Sequence, residues 1–170
     1  MKIFLVGPMG SGKSKIGKLL SSEINLNLID IDKEIEAKFE KTIVEIFASE
    51  GEESFRDKEI NFLEKISLSG DAVVSTGGGF IEASVNRDIL EKEENVIFLN
   101  ASVESQFQAT KDKTKRPLLN NENPKQVLES LYERRIDLYK SVSNLELNTD
   151  SLSNEDVVKE IINFLNVEIN

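Results

Sequence analysis

The chain has 170 residues, 39% hydrophobic and 31% charged, which suits one globular domain with a sizeable core. Its formal net charge of −10 argues against nucleic acid as the main partner. With no cysteine and no histidine, it excludes thiol nucleophiles, disulfides and histidine base catalysis, so any general base must be a carboxylate, Lys, Tyr or a water held by one of them.

The apolar run Lys2–Val6 reads as a strand. It leads into Gly7-Pro8-Met9-Gly10-Ser11-Gly12-Lys13-Ser14, which fits G-x-x-x-x-G-K-[ST], and a helix-like segment, Lys15–Ile24, follows. Strand, loop and helix together are the context of a phosphate-binding loop. Gly10 and Gly12 let the backbone N–H groups turn toward phosphate oxygens, with the positive helix N-terminus behind them. Lys13 would reach the β- and γ-phosphates and the Ser14 hydroxyl would hold Mg²⁺. A nucleoside triphosphate is therefore the expected ligand.

Leu26–Ile31 is a second strand-length run, ending at Asp30 and Asp32. In extended chain these two carboxylates share a face, suited to Mg²⁺ water binding and hydroxyl activation. Alternatively Asp32 caps the helix that follows. Residues 32–68 read as entirely helical (Asp32–Phe39, Thr42–Ser49 and Glu52–Leu68, broken at Gly51), an insertion able to form a small subdomain over the sheet edge. Glu34 and Glu36 are expected to face solvent. Phe55, Glu59, Phe62 and Ile66 share a helical face, and Arg56 lies three residues before Glu59. That spacing fits either a surface ion pair or an arginine oriented toward an anionic substrate.

Ala72–Ser75 is the third strand-length run, followed by Thr76 and the consecutive Gly77, Gly78 and Gly79, which suggest close backbone approach and substrate contact. A fourth run is Val96–Leu99 and a fifth Leu145–Leu147. Strands alternating with helices imply an α/β fold with a mostly parallel sheet, whose ligands bind at the strands' carboxyl ends. Between the last two strands, the polar stretch 111–123 carries Lys111, Lys113, Lys115 and Arg116 and reads as a solvated run or as a lid delivering an arginine to the phosphoryl group. Arg134-Arg135 sit on a long helix before Leu138-Tyr139. Val157, Val158, Ile161, Ile162 and Leu165 form a packing stripe within Asn154–Asn166.

In order along nearly the whole chain, these segments resemble the shikimate kinase family. The discriminating motifs are Asp30-Ile31-Asp32, Phe55-Arg56-Asp57-Lys58-Glu59, Gly77-Gly78-Gly79, Arg116-Pro117-Leu118-Leu119 and Arg135-Ile136-Asp137-Leu138-Tyr139. The resemblance implies a three-layer P-loop NTPase fold of the nucleoside-monophosphate-kinase type. Its parts are a five-stranded parallel sheet, a helical substrate-binding insertion at about 32–68 and a mobile lid at about 111–123, all in a single domain over 1–170. The implied reaction is ATP-dependent phosphorylation of the 3-hydroxyl of shikimate, within aromatic amino-acid biosynthesis. Gly10, Ser11, Gly12, Lys13, Ser14 and Lys15 would wrap the ATP phosphates. Ser14 would ligate Mg²⁺, with Asp30 holding it through water. Asp32 would bind the ring hydroxyls and accept the 3-hydroxyl proton. Arg56 and Arg135 would grip the carboxylate, with Glu59 and Gly77–Gly79 shaping the pocket, and Arg116 would close onto the phosphates.

Lys15 stands where the family often has Thr, and the lid ahead of Arg116 carries lysines where another arginine is common. A gluconate-type kinase is the nearest rival, because gluconate is also a polyhydroxylated carboxylate. A switch GTPase lacks support, since no Asn/Thr-Lys-x-Asp tetrapeptide occurs. A non-catalytic nucleotide-binding domain would have lost Lys13, Asp32 or Arg116, all present here. No segment reaches transmembrane length, so a cytoplasmic protein with no membrane partner is expected. With no sustained heptad and no long uncovered apolar strand to demand a dimer, a monomer is expected.

Overall fold

The computed structural model describes residues 1–111 and 123–166. The lid expected at 111–123 therefore lies outside the described residues, Lys111 and Asn123 apart, and Arg116 with it. Among the described residues five strands form one sheet: β1 (Lys2–Val6), β2 (Asn27–Asp30), β3 (Ala72–Ser75), β4 (Val96–Asn100) and β5 (Leu145–Asn148). All neighbours run parallel, in the order β2-β3-β1-β4-β5. The expected runs and the observed strands agree to within a residue at each end.

Central β1 is apolar throughout because both sheet faces are covered. Phe4 and Val6 join Val74, Val96 and Phe98 in one core, while Ile3 and Leu5 join Val73, Ile97 and Leu99 in another. The first core is closed by α2 (Ile31–Phe39), α3 (Ile43–Ser67), α4 (Ser84–Leu90) and α6 (Pro124–Val142); the second by α1 (Lys13–Glu23) and α7 (Asn154–Leu165). Helix α5 (Val103–Thr110) follows β4. Three layers result, as the resemblance implied. In α7 the stripe Val157, Val158, Ile161 and Ile162 is buried, with Leu165 half-covered beside it.

The inserted helices share the first core. Ile31 and Ile35 of α2 and Ile46, Phe55, Leu63 and Ile66 of α3 pack with the strand side chains. Thr42 and Glu45 form a reciprocal capping box at the start of α3. Glu36 does not simply face solvent, for its Oε1 accepts from Ile43 N at 3.0 Å and ties α2 to that same helix start. The break read at Gly51 is a kink within α3, where φ is 83° and ψ 170°.

The register sets the site's level. Ser75 pairs with both Leu5 and Asp30, so the segments after β1, β2 and β3 leave the sheet at the same height. The chain runs from β1 outward to β2, back to β3, then across to β4, making the carboxyl end of β1 the switch point where ligands bind. Among the described residues no helix is long and apolar enough to cross a membrane.

A Cβ at residue 51 would meet nothing within 4 Å, so its glycine answers to backbone angle alone. Gly51→Ala should cost about 1–3 kcal/mol, because this region of φ/ψ is nearly closed to L-residues. The midpoint of a urea titration measures it.

Candidate active site

The loop after β1 turns through Gly10 (φ 82°) and Gly12 (φ 90°), and Gly12 is the N-cap of α1. Lys13, the first residue of α1, is 8% exposed; its Nζ donates to the carbonyls of Gly7 and Pro8 at 2.7 and 2.8 Å. The loop is thus closed on its own lysine. Ser14 lies one residue on and its hydroxyl donates to Asp30 Oδ2 at 2.8 Å.

Asp30 and Asp32 are not on one strand face as the extended-chain spacing implied. Helix α2 begins at Ile31, so Asp30 is the residue that caps it, accepting from Lys33 N at 3.4 Å, while Asp32 lies in the first helical turn. A helix starting immediately after β2 still delivers both carboxylates to the sheet's carboxyl edge. Asp30 faces Ser14, and Asp32 lines a cavity of about 290 Å³ shared with Gly12, Lys13, Ser14, Thr76 and Gly78. Lys15 and Gly10 also border it. Ser11 is buried in the loop.

Next to Asp32 stands the ion pair read from α3. Arg56 Nη1 donates to Glu59 Oε2 at 2.6 Å and Nη2 to Glu52 at 2.8 Å. This is no surface pair: Glu59 is 0% exposed. Its Oε1 has no hydrogen-bond partner among the described residues. Burial pushes the Glu59 carboxyl up to about 7, helped by nearby Asp32 and opposed by Arg56 and Arg135.

The three glycines border this group for want of room. A Cβ at Gly77 would sit 2.7 Å from Glu59 Oε1 and 2.9 Å from Asp32 Oδ1, one at Gly78 3.1 Å from Met9 N, and one at Gly79 inside the Arg56 guanidinium. The triple glycine is therefore where the strand-three loop, the phosphate loop and the inserted helix meet.

From the other side, α6 contributes Arg135 and Tyr139. Arg135 is 2% exposed whereas the Arg134 side chain is 59% exposed, so Arg135 is the inward residue of the two. Arg135 Nε donates to Glu82 Oε1 at 2.7 Å, and its Nη2 is buried without a partner among the described residues. The Tyr139 hydroxyl donates to the Gly78 carbonyl at 2.5 Å while its ring stacks on Phe98, centroids 5.0 Å apart. Burial pushes that hydroxyl's pKa well up, so it remains a donor.

Sequence reasoning missed Glu82 and Thr76. Thr76 donates to the Leu5 carbonyl at 3.0 Å and lines the cavity. Its place beside the glycines was a usable signal; Glu82 carried none, since its partners are more than fifty residues away.

The model of the family described as shikimate kinase matches residues 9–166 of this chain. The chain belongs to the shikimate kinase family. A shikimate kinase of Histophilus somni is 44% identical over 164 residues, 96% of this chain and 94% of that protein. The shikimate kinase of Acinetobacter baumannii, solved in complex with shikimate, superposes with a TM-score of 0.93 at 37% identity, covering 96% of this chain and 92% of that one. A gluconokinase from Sinorhizobium meliloti has a TM-score of 0.62 at 15% identity over 97% of this chain and 91% of its own, and shares the fold alone. The protein is thus a phosphotransferase with shikimate kinase activity, using ATP, in aromatic amino-acid biosynthesis.

Glu59 makes stability pH-dependent in a definite direction. A carboxyl with a higher pKa folded than unfolded takes up a proton on folding between the two values, so stability falls as pH rises through that window. Here the window runs from 4.5 to about 7. In urea titrations the wild type should lose more stability across it than Glu59→Gln does. Equal slopes would mean that the carboxyl titrates as it does in water.

Proposed function

We propose that the cavity at the phosphate loop joins ATP to shikimate with the following division of labour. Gly10, Ser11, Gly12, Lys13, Ser14 and Lys15 bind the ATP phosphates. Lys13 exchanges the Gly7 and Pro8 carbonyls for phosphate oxygens, which is favourable because an ammonium gains more from anionic than from neutral acceptors. Arg116 lies outside the described residues and takes its role from the Arg-Pro-Leu-Leu motif: it adds positive charge at the transferring group.

The Ser14 hydroxyl and the Asp30 carboxylate are hard oxygen donors side by side, a set that fits Mg²⁺, with Asp30 acting through water. When bound, the ion supplies charge neutralisation on the phosphate oxygens.

Shikimate lies on the far side of the cavity. Its carboxylate is taken by Arg56 and Arg135, oriented by Glu59 and lodged against Gly77, Gly78 and Gly79. Asp32 binds the ring hydroxyls and accepts the 3-hydroxyl proton as the oxygen attacks the γ-phosphorus. With no histidine in the chain, Asp32 is the cavity's own candidate base. The observation that carries the reading is one cavity bordered by Lys13, Ser14 and Asp32, with a buried guanidinium beyond it that holds an unmet N–H donor. An unmet buried donor is costly, and a bound carboxylate removes that cost.

We further propose a cytoplasmic monomer. Met1, Phe39, Leu68 and Val85 are the exposed large apolar residues among those described, few for an obligate interface.

ADP release tests the assignment, comparing shikimate, gluconate and no acceptor at saturating Mg-ATP. Turnover should require shikimate, and Asp32→Asn should lower kcat by about 10²–10⁴-fold, the range of a lost general base. Wild-type turnover in that variant, or equal turnover with gluconate, would overturn the reading. Arg56→Ala should raise KM for shikimate about tenfold or more while KM for ATP stays within about twofold.

A further inference from the structure

Glu82 belongs to none of the motifs that located the site, yet one of its oxygens holds two successive arginines. It ends a 3-10 turn, Phe80–Glu82, that starts directly after Gly79. Its Oε1 accepts from Arg135 Nε at 2.7 Å and from Arg134 Nε and Nη2 at 2.9 and 2.5 Å.

The two contacts differ in kind. The Arg134 side chain is 59% exposed, and an ion pair so wet contributes little. Arg135 is 2% exposed, and a guanidinium that far from water needs a carboxylate to remain in place. Partial burial works against the charge of Glu82, but Arg135 and Arg134 hold its carboxyl below the usual range, so it is ionised at neutral pH.

Glu82 is itself held. Arg87 Nη1 donates to the carbonyls of Ile81 and Glu82, each at 2.8 Å, and Asn86 Nδ2 to that of Phe80 at 2.9 Å, so α4 clamps all three carbonyls of the turn. The turn in turn continues the glycine segment that abuts Arg56 and Glu59. A fixed carboxylate thus grips Arg135 by Nε and leaves Nη2 buried without a partner among the described residues.

We propose that Glu82 is a positioning residue for substrate binding, holding Arg135 by its Nε so that the guanidinium's remaining N–H donors face the carboxylate of the substrate. The inference rests on the reading of Arg135 as a carboxylate ligand. Glu82 touches no reacting atom. Its contribution is orientation of a long side chain that would otherwise sample several rotamers before binding.

Steady-state kinetics on the full chain test this, with each substrate varied at saturation of the other, for Glu82→Gln, Glu82→Asp, Arg134→Ala, Arg135→Lys and the double variant Glu82→Gln/Arg135→Lys. Glu82→Gln should raise KM for shikimate about five- to tenfold and leave KM for ATP within about twofold, the size expected when a neutral amide oxygen replaces the carboxylate as acceptor. Glu82→Asp, which keeps the charge, should fall between it and wild type, and serves if the Gln variant does not fold. Arg134→Ala should leave both KM values unchanged. The double variant should be no worse for shikimate than Arg135→Lys alone, because Glu82 acts through Arg135.

If both KM values rise together with a lower melting temperature, Glu82 is a structural prop and the inference fails. It fails equally if Arg135→Lys weakens shikimate binding and Glu82→Gln does not. An unchanged KM for shikimate in Arg135→Lys would instead remove the carboxylate-ligand reading beneath it.

Discussion

A guanidinium taken out of water must carry a carboxylate with it, and the packing of α3, α6 and the glycine loop is organised by that constraint. Arg56 is paired with Glu59 within α3, and Arg135 of α6 with Glu82 of the turn after the glycines. In a chain of net charge −10, carboxylates are plentiful, so the selective feature is where the arginines go. Of its five arginines, Arg56 and Arg135 are drawn inward, each with a carboxylate partner. The consequences reach the backbone. At Gly77 and Gly79 the side-chain ends of Glu59, Asp32 and Arg56 occupy the space a Cβ would need, so a side chain there would have to displace them. One charged pair, with Asp32 beside it, thus crowds a loop to which it does not belong.

The phosphate side follows a different logic, in which the loop satisfies itself until ligand arrives. Lys13 fills its donor capacity with loop carbonyls, and Ser14 and Asp30 bond to one another. The chain's own contacts thus fix the orientation of these three side chains. The Arg56 and Arg135 side differs in keeping groups unmet among the described residues, such as Glu59 Oε1 and Arg135 Nη2. Local self-satisfaction suits a loop whose ligand is a polyanion that displaces its own contacts. Unmet buried groups suit a small ligand selected for matching them.

Legibility in the sequence follows the range of each interaction. The strands are readable as short continuous apolar runs because both faces of the sheet are covered: Ile3 and Leu5 go to one core and Phe4 and Val6 to the other. The Arg56–Glu59 pair is readable as a spacing, since three residues on a helix is a contact. Its burial is not, because that depends on β3 and the glycine loop packing above it. The Asp30–Asp32 geometry turns on a boundary: α2 starts at Ile31, so the period of extended chain does not hold across the first helical turn. Glu36 looks like a solvent residue in the sequence, and its bond to Ile43 N depends on how α2 and α3 meet. Glu82 is invisible there because its arginines are 52 and 53 residues away.

By itself, then, the sequence determined the phosphate loop, the alternation of strand and helix, the absence of any histidine or thiol chemistry, and the family. Each is carried by residues adjacent or one helical turn apart, where chain geometry alone sets the relation. Only the tertiary structure decided which of two neighbouring arginines turns inward, which carboxylate braces it, and why three glycines stand in a row. Those questions concern space and charge shared by segments distant in the chain, and they have no answer until the sheet's register brings the ends of β1, β2 and β3 to one level.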